Sequence, residues 1–200
     1  LMAGGSWGGP GGGPWRPVHL SAWGKIELGW VDPIIADGSA NTQTIGNVEE
    51  NPTIFKMEGI GGNSNEYFLI ENRQKILFDQ DLPEEGLLIW HIDESQGSNT
   101  DDWHRKVDLE QADGDYDLNN NNNSGDNGDP FPYGANDSFT GSTVPNSNFY
   151  NGDASGVSVI DIEESGELIT ATFESSFAGC TDETACNYNA NATEDDGSCE

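Results

Sequence analysis

From Val31 onward the apolar residues arrive in short runs, broken every few positions by Gly, Asn, Asp and Pro. Such a pattern cannot wind into long helices, and it predicts strands. The runs are Thr53–Glu58, Glu66–Glu71, Leu87–Asp93, Lys106–Leu109, Val157–Glu163 and Leu168–Glu174. Leu87-Leu88-Ile89-Trp90 is uninterrupted, which predicts a central strand. Val157, Val159 and Ile162 precede a Glu-Ser-Gly turn, which predicts a terminal hairpin. One segment reads as helix, Pro17–Leu28. Pro17 suits its first turn, Val18, Ala22 and Ile26 fall on one face, and Gly29 and Pro33 stop it. The expected fold class is α+β: one helix followed by a mainly antiparallel β assembly with long acidic loops, plus a small Cys-rich tail.

Charge narrows the function. Seven Lys and Arg stand against 36 Asp and Glu, a formal net charge of −29. A chain this acidic does not track a phosphate backbone or an anionic membrane surface, because both need Lys and Arg. No apolar run approaches the ~18 residues of a transmembrane helix. Aromatic residues make up 10% and include six Trp, so a core is expected. Hydrophobic content is 34%, so much of the chain is loop. Leu1–Pro14 is a Gly-rich loop, and its first residues lack the basic and apolar regions of a signal peptide. The abrupt start at Leu1 and end at Glu200 suggest a piece of a longer chain.

The stretch from Ala112 to Tyr150 is too long for an idle connection. It carries Asp113, Asp115 and Asp117 as D-G-D-Y-D, then Asp126 and Asp129 in GDNGDP. In an extended loop alternate side chains point the same way, so these carboxylates would converge on a hard cation such as calcium. The first half of an EF-hand loop looks similar, but Gly114 falls too early and no Glu sits at the twelfth position. Asx-rich turns without an ion, in an Asn-rich insert, are the alternative. No HExxH, GxSxG or phosphate-binding loop is present. His19, His91 and His104 lack a spacing diagnostic of zinc. His19 reads as a helix-surface group and His91 as a hydrogen-bonding group ending a buried strand.

Ala178–Glu200 holds all three cysteines, Cys180, Cys186 and Cys199. Clustered cysteines in a short acidic tail suggest a disulfide-stapled module outside the cytosol. An odd count leaves a free thiol or a missing partner. A zinc knuckle would need closer CxxC spacing and a nearby His. Two regions are expected, residues 1–176 and 177–200.

Seven stretches occur in one order: LMAGGSWGG, HLSAWGKIELGWV, EYFLIENRQ, GLLIWHIDE, VDLEQADGDYDLN, GDNGDPFPYG and SGVSVIDIEESGELITATF. Together they resemble the secreted zinc metallopeptidases of the immune inhibitor A type, over roughly Leu1 to Phe173. The resemblance implies an exported endopeptidase whose HExxH helix supplies two zinc-ligand histidines and a glutamate base. That helix would lie upstream of Leu1, so no catalytic residue is expected in this chain. Met2 would be the methionine beneath the zinc site, packing there without ligating. The Gly4–Gly13 loop would border the cleft, Pro17–Leu28 would close the catalytic domain, and Asp113–Asp129 would be a calcium-stabilised loop. His91 and Asp93 sit in the matching WHIDE stretch, where ion binding or strand-end hydrogen bonding is expected rather than catalysis. The tail CTDETACNYNANATEDDGSCE resembles a Cys- and Asp-rich repeat at the C-termini of secreted bacterial proteins. Further cysteines of that repeat would explain the odd count. Asp195 and Asp196 beside Gly197 would be calcium ligands or a simple acidic turn.

The expected function is therefore part of an exported zinc-dependent endopeptidase, with zinc held by the upstream segment and calcium by this one. Its partners would be protein or peptide substrates, without nucleic acid or membrane insertion. It would be secreted or attached to the cell surface through a continuation of the tail. The rivals are a non-catalytic calcium-dependent adhesion or carbohydrate-binding β-domain, and a catalytically dead member of the same family.

Overall fold

The structure, a computed structural model, describes residues 17–36, 38–60, 65–176, 178–190 and 192–200. Met2 and the Gly4–Gly13 loop lie outside the described residues. Among the described residues one α-helix, α1 (Ala22–Glu27), precedes ten strands. These are β1 (Ile34–Ile35), β2 (Ser39–Ile45), β3 (Phe55–Glu58), β4 (Glu66–Arg73), β5 (Gly86–Asp93), β6 (Val107–Leu109), β7 (Val157–Ser165), β8 (Leu168–Ser175), β9 (Ala178–Gly179) and β10 (Glu194–Asp195). A five-stranded sheet runs β1-β3-β4-β5-β6 and a three-stranded sheet runs β2-β8-β7. All pairings within them are antiparallel except β1 with β3. The fold is α+β, as the sequence pattern predicts.

The larger sheet is covered on both faces, which explains why β4 and β5 read as near-continuous apolar runs. Successive side chains alternate between faces. Phe68 and Ile70 of β4 and Leu87 and Ile89 of β5 meet Val157, Val159, Ile169 and Phe173 of the second sheet. Phe139 packs edge-on to Phe68, their centroids 5.3 Å apart. On the other face Leu69, Trp90 and Ile92 meet Ala22 of α1. The layers are thus helix, five-stranded sheet, three-stranded sheet.

One expectation about local structure is corrected, and one strand lies outside the expected runs. The helix starts at Ala22, not Pro17, because Ser21 caps it: its hydroxyl accepts the Gly24 N–H at 3.3 Å. The preceding backbone finds its partners on β4 and beyond. The carbonyls of His19 and Leu20 accept from Arg73, and the His19 N–H donates to Asp79. Val18 consequently lines a surface groove instead of extending the apolar face of α1. Strand β2, SANTQTI, lies in a stretch with no apolar alternation. It is exposed up to Ile45 and is held by pairing with β8, including a 2.9 Å contact between the Thr42 and Thr172 hydroxyls.

In the tail, β9 pairs with β10, and a disulfide joins Cys180 to Cys199. Cys186 is a free thiol. Among the described residues no helix is long and apolar enough to cross a membrane.

Candidate functional site

The acidic loop follows β6 and is bound back on itself. Asp113 N–H donates to the Gly128 carbonyl, and Ala112 N–H to the Asp129 carbonyl. This closes the stretch 112–129 into a compact hairpin-like loop and brings Asp113 against the GDNGDP turn. A β-carbon at Gly128 would collide with the Asp113 carboxylate, so only glycine fits there. Asn123 joins the two halves: its amide nitrogen donates to Asp117 at 3.1 Å and to Asp126 at 2.7 Å. Asp129 accepts the N–H of Asp126 at 2.8 Å. Burial, with the negative charges of Asp126, Asp113 and Asp117 added to it, pushes the Asp129 carboxyl up to about 6.

Four of the five expected acids are therefore neighbours, although not through strand-like alternation. Gly114 and Tyr116 both take left-handed φ, 71° and 55°, so the D-G-D-Y-D stretch coils. That coiling leaves Asp115 exposed, its N–H donating to Asp113. As the side chains stand, no group of three or more His, Cys, Asp or Glu among the described residues is arranged to hold a metal ion. The chemistry of the loop still suits calcium: oxygen donors, crowded negative charge and turns that expose carbonyls. The Asn123 amide lies between two carboxylates that a divalent cation would bridge. Asp195 and Asp196 lie in Asx-type turns, accepting the N–H groups of Gly197 and Ser198.

A second constellation sits on the sandwich face of β4, β5 and β6. His91 Nδ1 is 3.2 Å from Glu110 and Nε2 is 3.1 Å from Glu66. Two carboxylates flanking one imidazole require it to donate from both nitrogens, which only the imidazolium can do. Burial alone would lower the His91 pKa, but Glu110 and Glu66 together raise it to about 9. Burial raises the Glu110 carboxyl above its ordinary value. Tyr150 stacks on His91 at 4.3 Å and on His104 at 4.1 Å, and its N–H donates to Glu66. His104 pairs with Asp93 at 2.7 Å. The hydrogen bonds from Ser95 and His104 overcome burial and hold Asp93 below the usual carboxylate range.

His91 and Asp93 thus have structural tasks in the WHIDE strand: one pins β4 to β6, the other anchors His104. His19 packs near Phe78 at 6.2 Å and shares nothing with the other two histidines in this arrangement. Tyr150 was not singled out by its position at the end of an Asn-rich stretch. The signal that could have found it is the single aromatic pair, Phe149-Tyr150, closing a polar run.

The chain was compared with protein-family models, curated proteins and solved structures, and nothing matched in any of the three.

Proposed function

We propose that this chain is a calcium-ordered, non-catalytic β scaffold of an exported zinc-dependent endopeptidase. The observation that carries the calcium part is the gathering of Asp113, Asp117, Asp126 and Asp129 in one loop, where burial and, after it, the neighbouring negative charges lift Asp129. A divalent cation relieves that repulsion and replaces the Asn123 amide between Asp117 and Asp126. The peptidase part is supported by the resemblance of seven stretches. Three of them, EYFLIENRQ, GLLIWHIDE and VDLEQADGDYDLN, contribute neighbouring strands of one sheet, β4, β5 and β6.

Addition of millimolar Ca²⁺ is expected to raise the melting temperature, because a ligand that binds only the native state stabilises it, by about 2.7 kcal/mol at 100-fold excess over Kd. Asp117→Asn with Asp126→Asn should remove most of that gain. The gain should also shrink as pH falls through about 6, where Asp129 takes up a proton that competes with the ion. Identical melts in calcium and in chelator would refute the calcium reading. With added zinc the isolated chain is expected to cleave no peptide; chelator-sensitive cleavage would contradict the assignment of catalysis to another segment. The stacking of a three-stranded on a five-stranded sheet also suits a calcium-dependent adhesion or carbohydrate-binding domain. A calcium-dependent sugar-binding signal would favour that reading.

A further inference from the structure

On the helix face of the larger sheet lies a second buried ionic cluster, unrelated to the acidic loop. Arg73 donates from Nε to Asp79 at 2.8 Å, and its Nη1 lies 3.3 Å from Glu71. The Arg73 Nε also lies 3.6 Å from Glu49, and Lys25 reaches Glu71 at 2.8 Å. The side chains of Glu49, Glu71 and Asp79 are fully buried, with Arg73 at 4% and Lys25 at 9% exposure. Three carboxyls therefore face two cations. If all were ionised, one negative charge would remain uncompensated in the interior, which is strongly unfavourable. Glu49 and Asp79 also converge on the same Arg73 Nε, at 3.6 Å and 2.8 Å, so two buried carboxyls crowd one N–H and a proton shared between them relieves their repulsion.

We propose that Glu49 and Asp79 share one buried proton, and that losing it releases the segment 17–20 and reshapes the apolar groove beside α1. The mechanical link is direct. Asp79 accepts the His19 N–H at 2.8 Å, while Arg73 holds the His19 and Leu20 carbonyls. Glu49 is bound on its other side by the Gln74 N–H, just past the end of β4. Once both carboxyls are negative they repel and compete for Arg73. Glu49 and Gln74 are tied to the sheet, whereas His19 lies on an irregular stretch ahead of the Ser21 cap of a six-residue helix, so the His19 side yields. That stretch is a wall of a groove of about 520 Å³, lined by Val18, Leu20, Trp30, Val48, Ile54 and Phe78.

The direction in pH follows. Burial and the neighbouring Asp79 push the Glu49 carboxyl up to about 8, while Arg73 holds Asp79 below its ordinary value against its own burial. A carboxyl raised in the folded state contributes stability below its unfolded value of 4.5, and that contribution is lost as pH rises through about 8. The other groups facing the pair do not titrate that way. Arg73 is held up by its carboxylates, Glu71 is held down by Lys25 and Arg73, and burial keeps His19 below its ordinary value.

The test is hydrogen exchange of peptides covering residues 17–24 in the full chain, corrected for intrinsic rates, between about pH 6 and about pH 9. Protection should fall by up to about tenfold for each pH unit as pH rises from about 6 to the Glu49 value near 8, and level off above it. Glu49→Gln, which keeps a donor toward Asp79 but cannot ionise, should stay protected throughout. A carbon-13 titration of the Glu49 carboxyl in the unaltered protein provides the second reading, independent of whether the variant folds. A midpoint near 8 supports the shared proton, and a midpoint near 4.5 overturns it. Equal loss of protection in the variant and the parent protein would overturn the link to the groove.

Discussion

Arg73→Ala is expected to destabilise the protein by about 3–5 kcal/mol, the penalty of stranding buried charge. Arg73 is the common partner of Glu49, Glu71 and Asp79, and its removal leaves them facing Lys25 alone. It also frees the carbonyls of His19 and Leu20. Against a typical total of ~5–15 kcal/mol, such a loss removes a large share of the stability. Arg73→Lys should lie between the two, because an ammonium keeps the charge but cannot reproduce a planar fork aimed at several acceptors. Urea unfolding of the three proteins checks the order. A change within about 0.5 kcal/mol for the alanine variant would place Arg73 among ordinary surface positions and contradict the cluster.

The second large effect is alkaline. His91 is held as an imidazolium by Glu66 and Glu110, with its pKa raised from 6.5 to about 9. A histidine raised in the folded state contributes stability that is complete below its unfolded pKa and lost as pH rises through the folded one. The window is therefore 6.5 to about 9, and the stake is on the order of 3 kcal/mol, at ~1.4 kcal/mol per pH unit. Loss of the proton weakens both carboxylate contacts and the stack with Tyr150, so the segment ending at Tyr150 should loosen. Urea midpoints measured across that window should fall for the parent protein and flatten for His91→Gln. Parallel curves for the two would remove His91 as the titrating group. Glu49→Gln acts in an overlapping but lower window, so the two variants separate the two clusters.

Hydrophobic pattern made the central strands legible. Glu66–Glu71 and Leu87–Asp93 are recognisable because both faces of the larger sheet are covered, and apolar residues then crowd consecutive positions. Strand β4 runs two residues beyond its expected end because Asn72 and Arg73 are polar but buried, their groups satisfied by Ile45, Glu167, Asp79 and Glu71. No periodicity reveals such partners, which lie far away in the chain. Strand β2 was hidden for the opposite reason: it is an exposed edge, held by main-chain pairing, and its side chains need no apolar rhythm.

The same contrast holds for the sites. The acidic loop was legible as composition, since four of its Asp do gather, but its geometry depends on left-handed residues at Gly114 and Tyr116 that sent Asp115 outward. The helical spacing of Val18, Ala22 and Ile26 points to a helix start five residues before the observed one at Ala22. Side chains of Arg73 and Asp79 claim the backbone there instead. The end of a buried strand points to a hydrogen-bonding role for His91, but its two carboxylate partners lie 25 and 19 residues away in the chain. Spacing alone does not announce contacts of that range.

The most direct test of the central claim is the reading frame upstream of Leu1. An in-frame HExxH on a helix-patterned segment is expected there, which would place the zinc chemistry before this chain and leave Asp113–Asp129 as the calcium-ordered part of its scaffold. An intact frame lacking that motif, or carrying it with a ligand or the glutamate replaced, would contradict the peptidase assignment and make this a calcium-dependent binding domain.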